Sequence, residues 1–144
     1  MRIRIYVDAS LCTGCRICEF VCYFSKTGKF NPKKARIHVL KDLKRGIDLP
    51  LLCRHCNNPP CVRVCPEGAL FKDNTEGLIR VLDEACKGCG LCVKECIVNA
   101  LRLDPRTRKP LICDMCGGKP KCASWCPTGA ISLVIANPES VTIS

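Results

Sequence analysis

The chain has 144 residues, a formal net charge of +10 and only 5% aromatic residues, so it makes one domain or two very small ones without a large hydrophobic core. Sixteen residues are cysteine, a density that in a short chain means a scaffold of disulfides or of bound metal. The opening MRIRIYVDASLC has no secretory leader, and no run approaches the roughly 18 apolar residues of a membrane span. The expectation is therefore a soluble, cytoplasmic protein whose thiols stay reduced and act as ligands rather than pairing as disulfides.

In chain order, RIRIYVD alternates apolar and polar residues as a half-buried strand does. LCTGCRICEFVC follows with Cys12, Cys15, Cys18 and Cys22, and single helical turns are expected after the last cysteine of each such run, as at VCYFSK. ARIHVL reads as a second strand. A second group, Cys53, Cys56, Cys61 and Cys65, lies in CRHCNNPPCVRVCP, and ALFKDNTEGLIRVL after it has the form of a hairpin around DNTEG. Cys86, Cys89, Cys92 and Cys96 form a third group in CKGCGLCVKEC, with a further hairpin expected in ALRLDPRTRKPLIC. The fourth group, Cys113, Cys116, Cys122 and Cys126, occupies CDMCGGKPKCASWCP, and no cysteine is left over.

Groups one and three carry the C-x2-C-x2-C-x3-C spacing of bacterial ferredoxin-type iron-sulfur ligation. Three thiolates from one tight loop can cap three irons of a cubane, and the fourth iron must be reached from another run. Groups two and four widen the middle gap and end in C-x3-C-P, at Pro66 and Pro127, where proline stops the run. Four tetrahedral zinc sites would also consume sixteen thiols, but zinc modules use two separated knuckles rather than a third and fourth cysteine at these intervals. The spacing thus points to four 4Fe-4S clusters. The fold class expected is α+β, two ferredoxin-like modules of short strands, hairpins and short helices built around four iron-sulfur cubanes. Spacing permits two pairings of the groups, one with two and three with four, or one with four and two with three.

CRHCNNPPCVRVCPEGAL and CDMCGGKPKCASWCPTGAI, together with the other two groups, resemble the four-cluster electron-transfer subunits of molybdenum and tungsten oxidoreductases, of the dimethyl sulfoxide reductase and formate dehydrogenase beta-subunit type. The resemblance covers roughly residues 5–135. It implies the nested pairing. One cluster would be held by Cys12, Cys15, Cys18 and Cys126, and its neighbour by Cys113, Cys116, Cys122 and Cys22. A third would be held by Cys53, Cys56, Cys61 and Cys96, and the fourth by Cys86, Cys89, Cys92 and Cys65. Residues 1–48 with 106–144 would then form one module and residues 49–105 the other. A narrower likeness lies in CTGCRICEFVCYFSKTGKFNPKKARIHVL, which is similar to small subunits that accompany tungsten enzymes of the aldehyde ferredoxin oxidoreductase family, benzoyl-CoA reductase assemblies included.

The net charge of +10 falls to about +2 once sixteen thiolates and four oxidised cluster cores are counted, so most of the basicity offsets the cofactors. Residues 26–45 remain locally basic, with eight lysines and arginines against Asp42 alone, and are candidates for docking on an acidic partner face. His55, inside CRHC, is expected to donate a hydrogen bond to cluster sulfur or backbone rather than ligate iron. His38 is expected to be structural, Trp125 a lid that excludes water, and the glycines of TGC and GLC points where the backbone comes close to a cubane.

No phosphate loop, nucleotide fingerprint or nucleophile with a base is present, and sixteen thiolates leave no corner iron open, so no catalytic residue is expected. The expected function is relay of single electrons between a tungsten- or molybdenum-containing catalytic subunit and another redox partner, such as a flavin subunit or a ferredoxin, with no nucleic acid and no membrane span. A freestanding polyferredoxin shuttle is the alternative.

Overall fold

Alternating apolar residues and turn-forming asparagine, aspartate and glycine divide the chain into short elements. The computed structural model describes residues 2–136. In order these are β1 (Arg2–Val7), α1 (Ile17–Thr27), β2 (Ile37–Asp42), β3 (Ile47–Leu52), α2 (Pro60–Val64), β4 (Leu70–Lys72), β5 (Ile79–Val81), α3 (Leu91–Lys94), β6 (Arg102–Leu103), β7 (Pro110–Leu111), α4 (Lys121–Trp125) and β8 (Ile131–Ala136). No helix of the described residues is long and apolar enough to cross a membrane.

The strands pair only in twos, all antiparallel: β1 with β8, β2 with β3, β4 with β5 and β6 with β7. Both expected strands and both expected hairpins are present. The pairing of β1 with β8, which sets Val7 opposite Ile131, joins the two ends of the described chain and has no signature in either strand alone. The β4–β5 and β6–β7 loops are built alike. Asp73 accepts from the Thr75 N–H at 2.8 Å, and Asp104 from the Arg106 N–H at 2.8 Å, so each aspartate closes its own turn.

The helical turns differ from expectation. In groups two, three and four the turn comes before the last cysteine and carries the third, Cys61, Cys92 and Cys122. Pro66 and Pro127 bar a helical conformation at the residue before them, and Cys65 and Cys126 accordingly take ψ of 112° and 114°. Only α1 runs through its last cysteine, an 11-residue helix ending at Gly28, whose N–H closes on the Phe24 carbonyl at 2.8 Å.

Two apolar clusters form the interior. The first gathers Cys18, Cys22, Ile37, Val39, Leu52, Cys122 and Ile131, from groups one and four and the strands beside them. The second gathers Cys61, Leu70, Ile79, Cys92, Leu101 and Ile112, from groups two and three and their hairpins. Leu52 packs in the first cluster and Ile112 in the second, so the β2–β3 and β6–β7 hairpins stay whole. A cut after residue 48 would fall within β3, and one after residue 105 within the β6–β7 hairpin. Hairpin register holds these residues on one face, which is why whole hairpins are the packing units.

Candidate metal centres

Three of the fourth cysteines share one local design. After Cys65, Cys96 and Cys126 the chain reads PEGA, IVNA and PTGA, and the third residue of each stretch has a left-handed φ: Gly68 60°, Asn99 51° and Gly129 72°. That reversal turns the following amides back onto the sulfur, with Ala69 N–H donating to Cys65 Sγ at 3.3 Å and Ala100 N–H to Cys96 Sγ at 3.4 Å. At Cys126 the amides of Ile131, Thr128 and Ala130 converge, and the Thr128 hydroxyl lies 3.7 Å from the sulfur. The repeated G/N-A pair is legible in the sequence as a recurrence at a fixed offset from the cysteine.

Group one solves the same problem at long range. Because α1 continues past Cys22, no turn follows it, and the amide that reaches Cys22 Sγ at 3.3 Å comes from Arg36, at the start of the next strand. Glu19 holds that strand in place. Its buried carboxylate accepts the Val39 N–H at 2.7 Å and pairs with Arg16 at 3.4 Å. Sequence reading missed Glu19, although a lone acid on the apolar face of a helix was the available signal.

All sixteen cysteines are free thiols. Cys12, Cys15 and Cys18 line one cavity together with Cys126, and Pro127, Ala130 and Ile131 supply its apolar wall. Cys53, Cys56 and Cys61 line a second with Cys96, walled by Pro59, Pro60 and Leu101. Cys122 is raised by burial and then by the charges of Cys113, Cys22 and Cys116, with Cys18 adding less. Cys92 is raised by burial and feels Cys86, Cys89 and Cys65 in the same way. Each of the two cavities thus brings three thiols of one group to one thiol of the group across the core. Among the described residues no three such side chains converge as they would on a single ion.

Burial pushes Cys18 up to about 12, helped by Glu19, and pushes Cys53 to about 12 and Cys61 and Cys113 to about 11. Cys65 and Cys126 go the other way. Burial still opposes their thiolates, but the surrounding backbone N–H groups together outweigh it. Buried thiols of high pKa beside amide-cradled sulfurs suit an anion-accepting body that supplies its own positive charge, as iron does when it draws thiolates into coordination. The donor set is all sulfur, walled by apolar side chains and served by N–H groups, and it fits an iron-sulfur cluster.

Residues 46–136 match the 4Fe-4S dicluster domain, and residues 11–70 match a second 4Fe-4S dicluster domain family. The chain belongs to the 4Fe-4S dicluster ferredoxin family. It is similar to the polyferredoxin-like subunit of the aliphatic sulfonate oxidoreductase of Pyrococcus furiosus, with 39% identity over 87% of this chain and 72% of the relative. It is similar also to the electron transport protein HydN of Escherichia coli, with 34% identity over 92% of this chain and 88% of that one. Among solved structures it resembles a chain of the active-site complex BamBC of benzoyl coenzyme A reductase bound to benzoyl-CoA. The TM-score there is 0.56 and the identity 27%, over 92% of this chain and 78% of that one. One of these relatives is thus a polyferredoxin-like subunit of an oxidoreductase and another an electron transport protein.

Three other sequence expectations meet the structure here. Trp125 is 62% exposed at the end of α4, which turns it outward, so it forms no lid. Much of the basic segment is tied within the chain: Lys26 and Arg36 to Asp114, Lys34 to Asp104, Lys41 to Asp48 and Arg45 to Asp42. At Gly14 a side chain would need φ of 71° and would meet the Asp48 carboxyl at 2.7 Å.

Proposed function

We propose that this chain is a four-cluster electron relay, passing single electrons between a tungsten- or molybdenum-pterin catalytic subunit and a second redox partner such as a flavin subunit or a ferredoxin. The carrying observation is that two cavities each bring three thiols of one group to one thiol of the group across the core, and Cys92 feels Cys86, Cys89 and Cys65 in the same pattern. That supports the nested assignment: Cys12, Cys15, Cys18 and Cys126; Cys113, Cys116, Cys122 and Cys22; Cys53, Cys56, Cys61 and Cys96; Cys86, Cys89, Cys92 and Cys65. It also supports two modules, divided at hairpin edges. Each cluster, when bound, supplies a one-electron site.

The protein's part is position and potential. Cys113 raises Cys53 through its charge, which supports those two sets as inner neighbours, while Cys15 and Cys89 are exposed and belong to the outer sets. Backbone N–H groups on Cys22, Cys65, Cys96 and Cys113 favour the reduced, more negative state of the site each serves. With all corner irons capped by thiolate, the chain does no bond chemistry of its own.

A permanent partner is favoured by an exposed aromatic stack. Phe20 lies 5.3 Å from Phe24 and 5.0 Å from Phe30, ring centre to ring centre, and all three are exposed. Lys29 and Lys33, beside them in sequence, make no ion pair among the described residues, so the face suits an acidic-rimmed catalytic subunit. The tungsten reading rests on the G-x-F-N-P likeness and on the similarity to a BamBC chain.

Anaerobic purification of the native protein, with tungsten, molybdenum, iron and zinc measured in one peak, tests this. Tungsten or molybdenum with a larger subunit and about sixteen irons per chain is expected. Iron alone in a peak of the chain's own 15.9 kDa would make it a freestanding shuttle, and zinc in place of iron would overturn the cluster reading.

A further inference from the structure

The residue before the second cysteine has a left-handed φ in every group: Gly14 71°, His55 51°, Gly88 72° and Met115 57°. Groups one and three meet this with glycine. Groups two and four place full side chains there, and both are buried, His55 at 2% and Met115 at 4% exposure. A non-glycine residue in that conformation costs about 1–2 kcal/mol, so something must hold these two in place.

For Met115 apolar burial suffices. His55 carries a second cost. Its Nδ1 accepts the Ile79 N–H at 2.9 Å, which leaves the ring proton on Nε2. Nε2 is buried and has no partner among the described residues. A buried donor left unpaired costs about 1–3 kcal/mol, and at this position glycine would remove both penalties. The charged neighbours of the ring are Arg4, Lys72 and Arg80 and, from between Cys113 and Met115, Asp114. Nδ1 also lies 3.7 Å from Cys53 Sγ, which sets the ring against group two, and Asp114 brings group four within its electrostatic reach; these two groups supply three thiols each to the two inner sets.

We infer that His55 donates its Nε2–H to a sulfur of an inner iron-sulfur cluster and raises the reduction potential of that cluster. The inference rests on the ligand assignment proposed above. An N–H···S bond draws charge from the sulfur and favours the added electron. Met115, at the matching position of group four, has no N–H to offer, so the two inner sites are tuned unequally by one position of the repeat.

The test compares His55→Met, which copies the residue group four uses at this φ, with His55→Asn, which tolerates the same φ and keeps a donor. Both are purified anaerobically, iron is counted, and the clusters are titrated by EPR. The expected result is full iron in both, with one potential lowered in the Met variant by a tenfold loss in its reduction equilibrium, about 59 mV for one electron. The Asn variant should fall less. Unmoved potentials with full iron in the Met variant would overturn the inference and leave the ligand assignment standing. Wild-type protein far short of about sixteen irons would overturn both. If the Met variant loses iron, pulsed EPR on the reduced His38→Asn variant labelled with [15N]histidine, in which His55 is the one histidine left, decides. A nitrogen coupling to a cluster supports the bond, and its absence overturns it.

Discussion

The two apolar clusters hold the same kind of cysteine set by different means. Around the second, each fourth cysteine is served by the turn that follows it, and the hairpins between residues 69 and 112 are local. Around the first, β1 pairs with β8 from the other end of the described chain, and Cys22 receives its amide from Arg36 across a loop. An N–H···S environment can therefore be built by a four-residue turn or by tertiary packing, and only the second route makes it depend on the whole fold.

Truncating each core should separate them most strongly. Ile37→Ala and Ile79→Ala remove side chains exposed by only 2% and 3%, and each should cost about 2–5 kcal/mol. The EPR signals that change should belong to groups one and four for Ile37→Ala and to groups two and three for Ile79→Ala. Identical changes would mean a single cooperative core.

Glu19→Ala strips the buried acceptor from the Val39 N–H and should cost about 1–3 kcal/mol in thermal unfolding, with the cluster nearest Cys22 lost first on exposure to air. Next comes the turn. Gly129→Ala meets open space but must hold φ of 72°, so a loss of about 1–2 kcal/mol is expected. Gly129→Asn should cost less, since Asn99 already holds the equivalent place in group three. Smallest is Asp114→Asn, which releases Lys26 and Arg36 at a half-exposed site. No more than about 1 kcal/mol should be lost, less at high salt.

How much of this the sequence disclosed follows the same division. The hairpins at DNTEG and DPRTRK, and the strands at RIRIYVD and ARIHVL, were legible because alternation and turn chemistry are local. So was the grouping of the cysteines. In groups two and four the helical turn precedes the last cysteine because Pro66 and Pro127 act one residue earlier, on the cysteine before each. The β1–β8 pairing, the Arg36 amide on Cys22 and the Asp114 partners of Lys26 and Arg36 were not legible, since each joins residues distant in sequence. Trp125 misled because an aromatic beside a ligand run says nothing of which way a short helix turns it.

The nested pairing is tested most directly by counting iron in two double variants, Cys22→Ala with Cys122→Ala and Cys22→Ala with Cys53→Ala. Nested pairing puts Cys22 and Cys122 on one cluster, so the first variant should keep about twelve irons and the second about eight. Sequential pairing puts Cys22 with Cys53 instead, and more iron in the second variant than in the first would contradict the account.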